Sequence, residues 1–147
     1  MPATIITPER EQLGHEIGEA LFHLIWRYRQ QADQSFAPLG VNSLRALMLG
    51  LIARERLHPK ALADTLDLAP PAISHILTDL EERGLIARSL DPEDRRRVLL
   101  EITDAGRTLL SRVAATWNGL NVAKMAALTE DEVVAFRDLL RKITADA

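Results

Sequence analysis

The feature that most constrains this chain lies in its middle, between Pro59 and Ile102. Pro59 suits the first turn of a helix, where its missing N–H has no intrahelical partner to lose. Ala61, Leu62, Thr65 and Leu66 follow, which predicts a short helix over 59–66. Asp67-Leu68-Ala69 is a brief turn, and Pro70 or Pro71 starts the next helix. Ile73, Ile76, Leu77 and Leu80 share one side of that helix, and Gly84 stops it. At Leu85 the pattern changes. Leu85–Leu90 is short and bounded by Asp91-Pro92, while Val98, Leu100 and Ile102 alternate with Leu99, Glu101 and Thr103. These runs predict two antiparallel strands joined by the loop Asp91–Arg97.

The flanks read as helices. Residues 1–10 form a polar, mobile lead-in. From about Glu11 to Ala32, Leu13, Ile17, Leu21, Leu24 and Tyr28 recur at steps of three and four. Phe22, Ile25 and Trp26 widen the stripe, so this helix needs more than one neighbour; a partner subunit is the obvious second. Ser35–Gly40, with Pro38 and Gly40, is a connection. Asn42 and Ser43 cap a helix to about Arg54, with Leu44, Leu47, Met48 and Leu51 facing inward. Thr103 or Asp104 caps a helix from about Ala105 to Ala127, whose apolar side carries Leu109, Leu110, Val113, Trp117, Leu120 and Met125. Thr129-x-x-Glu132 is a capping box for a last helix striped by Val133, Phe136, Leu140 and Ile143. The 24 Leu and 20 Ala of the 147 residues agree with a mainly α chain carrying a small β-hairpin wing. Two short helices across a tight turn, then a hairpin, make a winged helix-turn-helix. In that motif the second helix enters the major groove of DNA and the first crosses the backbone.

Composition narrows the chemistry. There is no Cys, which excludes disulfides, thiolate metal sites and cysteine nucleophiles. No apolar stretch approaches a membrane span, and no basic region followed by an apolar run marks a secretory signal, so a cytoplasmic protein away from membranes is expected. No Gly-rich phosphate loop, His-x-x-x-His pair or nucleophile elbow is present, which points away from an enzyme or a cofactor. His15, Glu19 and His23 fall at i, i+4 and i+8 on one helix face. Three positions on one straight helix do not converge on an ion without a further ligand, so no metal site is expected.

The net charge of −3 means that any DNA contact depends on local placement. At 100° per residue, Pro71, Ala72, Ser74, His75 and Thr78 turn away from the apolar side of the second helix. Small residues admit the backbone to base edges, Ala and Thr methyls suit thymine methyls, and Ser and His can hydrogen-bond bases or phosphates. Taken alone, such a face is equally a solvated helix surface. Arg95-Arg96-Arg97 is a run of three cations at the hairpin loop, and such a tip can enter a narrow minor groove. Asp94 beside it can orient an Arg fork. Residues 41–106 hold nine Lys/Arg against eleven Asp/Glu, so attraction by bulk charge is ruled out.

At these residues the chain resembles the MarR family of winged-helix transcription regulators. Asp94-x-Arg96-x-x-x-Leu100-x-Ile102-Thr103, then Gly106, is similar to the family's wing pattern, with Leu and Ile as conservative departures. Pro71–Ile86 resembles its recognition helix and exit into the wing. The resemblance implies a homodimer on double-stranded DNA. Residues 1–40 and 105–147 would form a helical dimerisation region, and 41–104 the winged helix-turn-helix domain. It further implies Pro71, Ala72, Ser74 and His75 in the major groove, Arg96 in the minor groove held by Asp94, and Arg95 and Arg97 on phosphates. His58, Asp67, Ala69 and His75 depart from common family residues. Asp67 stands where Gly is common, and Ala69 lacks the side chain of a Ser cap. A His at position 75 would also make binding pH-sensitive.

Family members often release DNA when a small aromatic or anionic effector enters a cleft beside the dimer helices. His23, Trp26, Arg27, Arg45 and Met48 are the candidates here, because a ring beside a cation suits an aromatic carboxylate. The bland reading makes Trp26 and Met48 core and the arginines surface. A second functional reading is a winged-helix dimer that works through protein contacts with little DNA binding, which the missing caps and acidic lobe favour.

Overall fold

The computed structural model describes residues 7–55 and 57–144; the reading of the first residues as a mobile lead-in lies largely outside that range. Helix α1 spans Pro8–Phe36, with Thr7 as its cap and Pro8 in the first turn. It runs four residues past the expected Ala32, because Ala32 and Phe36 both enter the core at 2% exposure or less. A single 3-10 turn, Ala37–Leu39, follows, and Gly40 takes a left-handed conformation (φ 76°) before α2, Ser43–Arg54. The Asn42 side chain caps α2 by accepting from the Arg45 N–H at 2.9 Å.

The inward face of α2 differs from its expected one. Ala46, Met48, Leu49 and Ile52 are buried, while Leu47 is 47% exposed. Leu44 and Leu51 pack on the core only in part. The α2 helix is covered on more than one side, so no single stripe marks its interior.

Helix α3, Pro59–Leu66, and α4, Pro70–Glu82, follow as read. Asp67 links them at φ 50°, and Leu68 N–H donates to Ala63 O at 3.1 Å, closing the turn without glycine. Ile73, Ile76, Leu77 and Leu80 are all buried. Gly84 is left-handed (φ 69°), and Leu85 N–H returns to Leu80 O at 2.9 Å, so Leu85 belongs to the exit from α4 and the strand starts one residue later. Strands β1, Ile86–Leu90, and β2, Val98–Ile102, pair antiparallel with Ile86 opposite Ile102 and Leu90 opposite Val98. Leu99 is buried beside Leu100, so β2 is covered on both faces. Leu57 adds a bridge to Leu100.

Helix α5, Asp104–Met125, is capped by Thr103, and α6, Glu130–Thr144, by the Thr129/Glu132 box. The core is continuous from the end of α1 through α2, α3, α4 and the hairpin to Leu109 and Val113 of α5. By contrast α6 buries none of its residues. Among the described residues no single helix is long and apolar enough to cross a membrane.

Candidate nucleic-acid interface

The outward face of α4 carries the side chains read from the sequence. Pro71, Ala72, Ser74, His75 and Thr78 are all exposed, opposite the four buried aliphatics. Ala69 supplies no side-chain cap, and Pro70 occupies the first turn without an N–H. Thr78 is the exception to a free face. Its hydroxyl donates to Ser74 O at 3.0 Å and accepts from Arg88 Nη2 at 3.3 Å. Its proton is therefore committed to the helix, and the methyl remains the group it offers outward.

The hairpin loop is built by its acids. Asp91 Oδ1 accepts from Glu93 N–H at 2.9 Å, and Asp94 Oδ1 accepts from Arg96 N–H at 3.1 Å. Arg97 N–H donates to Asp94 O at 2.8 Å, and Asp91 N–H to Arg97 O at 3.0 Å. The guanidinium that Asp94 holds is that of Arg97, at 3.3 Å, and not that of Arg96. Asp94 lies three residues from Arg97 across the tight turn, whereas its contact with Arg96 goes to the backbone. Among the described residues, the side chains of Arg95 and Arg96 have no bonding partner and stand exposed. Two of the loop's acids, Asp91 and Asp94, are thus turn-formers, and two cations are left at the tip.

Two further contacts fix this lobe, and local sequence signals gave no hint of either. His58, which makes no cap bond to α3, places Nδ1 2.9 Å from Val98 O and Nε2 3.5 Å from Asp91 Oδ2, tying the wing base to α3. Asp79 of α4 takes Arg45 Nε of α2 at 2.8 Å and lies 3.7 Å from Arg83 Nη1. The Arg45 hydrogen bond, with the charges of Arg45, Arg83 and His75, holds the Asp79 carboxyl below its ordinary range against the cost of desolvation. The Arg45–Asp79 and His58–Val98 bonds join residues 34 and 40 apart.

The five expected effector residues do not assemble into one cleft. Met48 is fully buried in the core, and Arg45 is turned to Asp79. His23, Trp26 and Arg27 lie exposed on α1, His23 edge-on to Phe22. A different cavity, of about 430 Å³, opens between the end of α1, α2 and α5. Phe36, Leu47, Gly50, Leu110 and Trp117 line it, with Arg54 as its cation. Trp117 is braced by Tyr28 at 5.0 Å, edge-on, and by Phe36 at 6.1 Å. His15 and Glu19 approach to 3.6 Å on the exposed face of α1. Among the described residues no group of three potential metal ligands forms.

A family model described as the MarR family matches residues 39–97, from the 3-10 turn to the end of the wing loop. The HTH-type transcriptional repressor NicR of Pseudomonas putida is 32% identical over 134 residues, covering 90% of this chain and 82% of that protein. The chain belongs to the MarR family. The crystal structure of MarR superposes with a TM-score of 0.79 at 26% identity, covering 88% of each chain. CouR from Rhodococcus jostii RHA1, solved with p-coumaroyl-CoA, gives a TM-score of 0.72 at 28% identity over 89% of this chain and 93% of that one. This MarR-family protein is therefore a DNA-binding transcription regulator with the helical frame and wing of its relatives.

Proposed function

We propose that the protein is a ligand-responsive repressor, without enzymatic activity, that acts in the cytoplasm as a homodimer on a pseudo-palindromic operator. The observation that carries this reading is the wing tip, where the side chains of Arg95 and Arg96 have no bonding partner among the described residues while Arg97 is held by Asp94. In this reading Arg96 enters the minor groove and Arg95 and Arg97 meet phosphates. Pro71 and Ala72 let the backbone approach base edges, and Ser74 and His75 hydrogen-bond them.

Residues 1–40 and 105–147 clasp the partner in this proposal, and 41–104 read DNA. Support comes from the apolar side chains left outside: Ile17, Phe22 and Ile25 of α1 are each more than half exposed, as are Val122 of α5 and Leu139 and Ile143 of α6. A second copy of the chain returns them to an apolar surrounding. The effector is a small aromatic anion, and its place is the cavity at Trp117. Rings of Phe36 and Trp117 face its apolar part and Arg54 its charge. Binding there favours a lobe separation that misfits the half-sites.

The test is selection of DNA from a random pool by the purified protein, followed by Arg96→Ala. A short inverted repeat is expected to be enriched, and the substitution to weaken binding to it. Failure to enrich any motif would favour a winged-helix dimer that works through protein contacts.

A further inference from the structure

The proposal concerns Arg88, which no local pattern singles out, and it rests on the DNA-binding reading above. Arg88 lies on β1, opposite Leu100 in the register, with its side chain laid along α4. Its Nε is 3.0 Å from Glu81 Oε2, and its Nη2 donates to Thr78 Oγ1 at 3.3 Å. Both anchors are on α4, three residues apart, so they fix the plane of the guanidinium as well as its position. With Lys60, Pro70 and Ser74, Arg88 lines an open cavity between the starts of α3 and α4 and β1. That cavity borders the outward face of α4.

Two facts bear on what Arg88 does there. Thr78 cannot present a free hydroxyl on this side, because its proton is committed to Ser74 O. A guanidinium has five N–H donors in a fixed fork. The edge formed by Nε and Nη2 is occupied by Glu81 and Thr78, while no hydrogen bond or ion pair of Nη1 occurs among the described residues. A side chain held to α4 at two points, about a third exposed, with its terminal edge free, is a pre-organised donor pair.

We propose that Arg88 is a specificity-determining residue of the interface: pinned by Glu81 and Thr78, its terminal guanidinium edge reads one guanine in each half-site through O6 and N7. Arginine is the residue most often used for that base, because its fork matches the two acceptors. Glu81 is the positioning residue, and it acts only through Arg88.

The test is base-resolved selection of DNA with the full-length wild type, Arg88→Lys and Glu81→Gln. Wild type is expected to require a guanine at one symmetric pair of positions. Arg88→Lys keeps the charge and loses the pinned fork. It is expected to lower discrimination at that pair about tenfold, on the scale of one bidentate base contact, with preferences elsewhere and the slope of affinity against salt unchanged. Glu81→Gln is expected to relax the same pair and no other. A Lys variant with the wild-type preference, or weakened equally on all sequences, overturns the inference and makes Arg88 a structural or phosphate-binding residue. A wild type that enriches no motif overturns the DNA-binding reading itself, and this inference with it.

Discussion

Asp94 holds the guanidinium of Arg97 at 3.3 Å while its other oxygen accepts the Arg96 backbone N–H at 3.1 Å. One carboxylate therefore shapes the loop and ties down one of three neighbouring arginines. The consequence is a division of labour. Arg96→Ala is expected to weaken operator binding at least tenfold, with little change in Tm. Asp94→Asn is expected to weaken binding too, but by loosening the turn, so that amide exchange in the loop accelerates. Fluorescence anisotropy and hydrogen exchange check the pair; slow loop exchange in the Asn variant would count against the turn-forming role.

Gly106 is the most confined glycine of the chain. A Cβ there would sit 2.1 Å from Leu85 O and 2.7 Å from Ile102 Cγ1, both fixed parts of the core. Gly106→Ala is expected to cost about 2–4 kcal/mol in urea unfolding, the range of overpacked and strained sites. Gly84→Ala meets no atom within 4 Å but keeps φ at +69°, so it costs about 1–2 kcal/mol. Equal losses at the two sites would show that the close approach is absent in solution.

Two carboxylates give the lobe an acid limit. Hydrogen bonds from the Ser43 hydroxyl and backbone N–H hold Asp33 low, and the Arg45 guanidinium holds Asp79 low. The unfolded chain takes up these protons first. The stability they supply is therefore complete above the ordinary Asp value of about 3.9 and is lost as pH falls through the lowered folded values. Asp33→Asn and Asp79→Asn are expected to lower Tm by a steady amount from pH 7 to 5, and the gap to wild type to close below about pH 4. Thermal unfolding across that series checks it; a gap that widens in acid would reverse the sign.

Substitutions at Gly50 can separate stability from the effector binding proposed for the cavity at Trp117. Its Cβ position is 3.9 Å from Arg54 Nη2 and 4.0 Å from Leu110 Cδ1, ordinary contact inside the cavity at Trp117. Gly50→Ala is expected to raise stability by about 0.5–1 kcal/mol through helix propensity. Gly50→Leu is expected to fill the cavity and abolish quenching of Trp117 by salicylate-sized aromatic acids. Quenching that survives in the Leu variant would place the ligand elsewhere.

Much of the lobe was legible because its elements are short and strongly patterned. The four buried aliphatics of α4 and the two strands obey single periods, and Thr103 and Thr129 announce the caps of α5 and α6. The inward face of α2 was not legible, since a helix covered on several sides has no stripe to read. The Arg88–Glu81, His58–Val98 and Arg45–Asp79 contacts were also hidden, because polar pairs across the fold leave no periodic mark. The cavity was hidden for a related reason: Trp26 and Trp117 are equally aromatic in sequence, and only packing leaves one exposed and sets the other over a cavity.

The 29 residues of α1 make a rod about 44 Å long, and its last turn is embedded in the reading lobe through Ala32 and Phe36. Embedded in this way, the rod and the lobe would have to tilt together. A tilt of about 5° at its far end swings the lobe by roughly 4 Å, close to the 3.4 Å rise between stacked base pairs. A tilt of that size would carry the reading lobe past its half-site by about one base step.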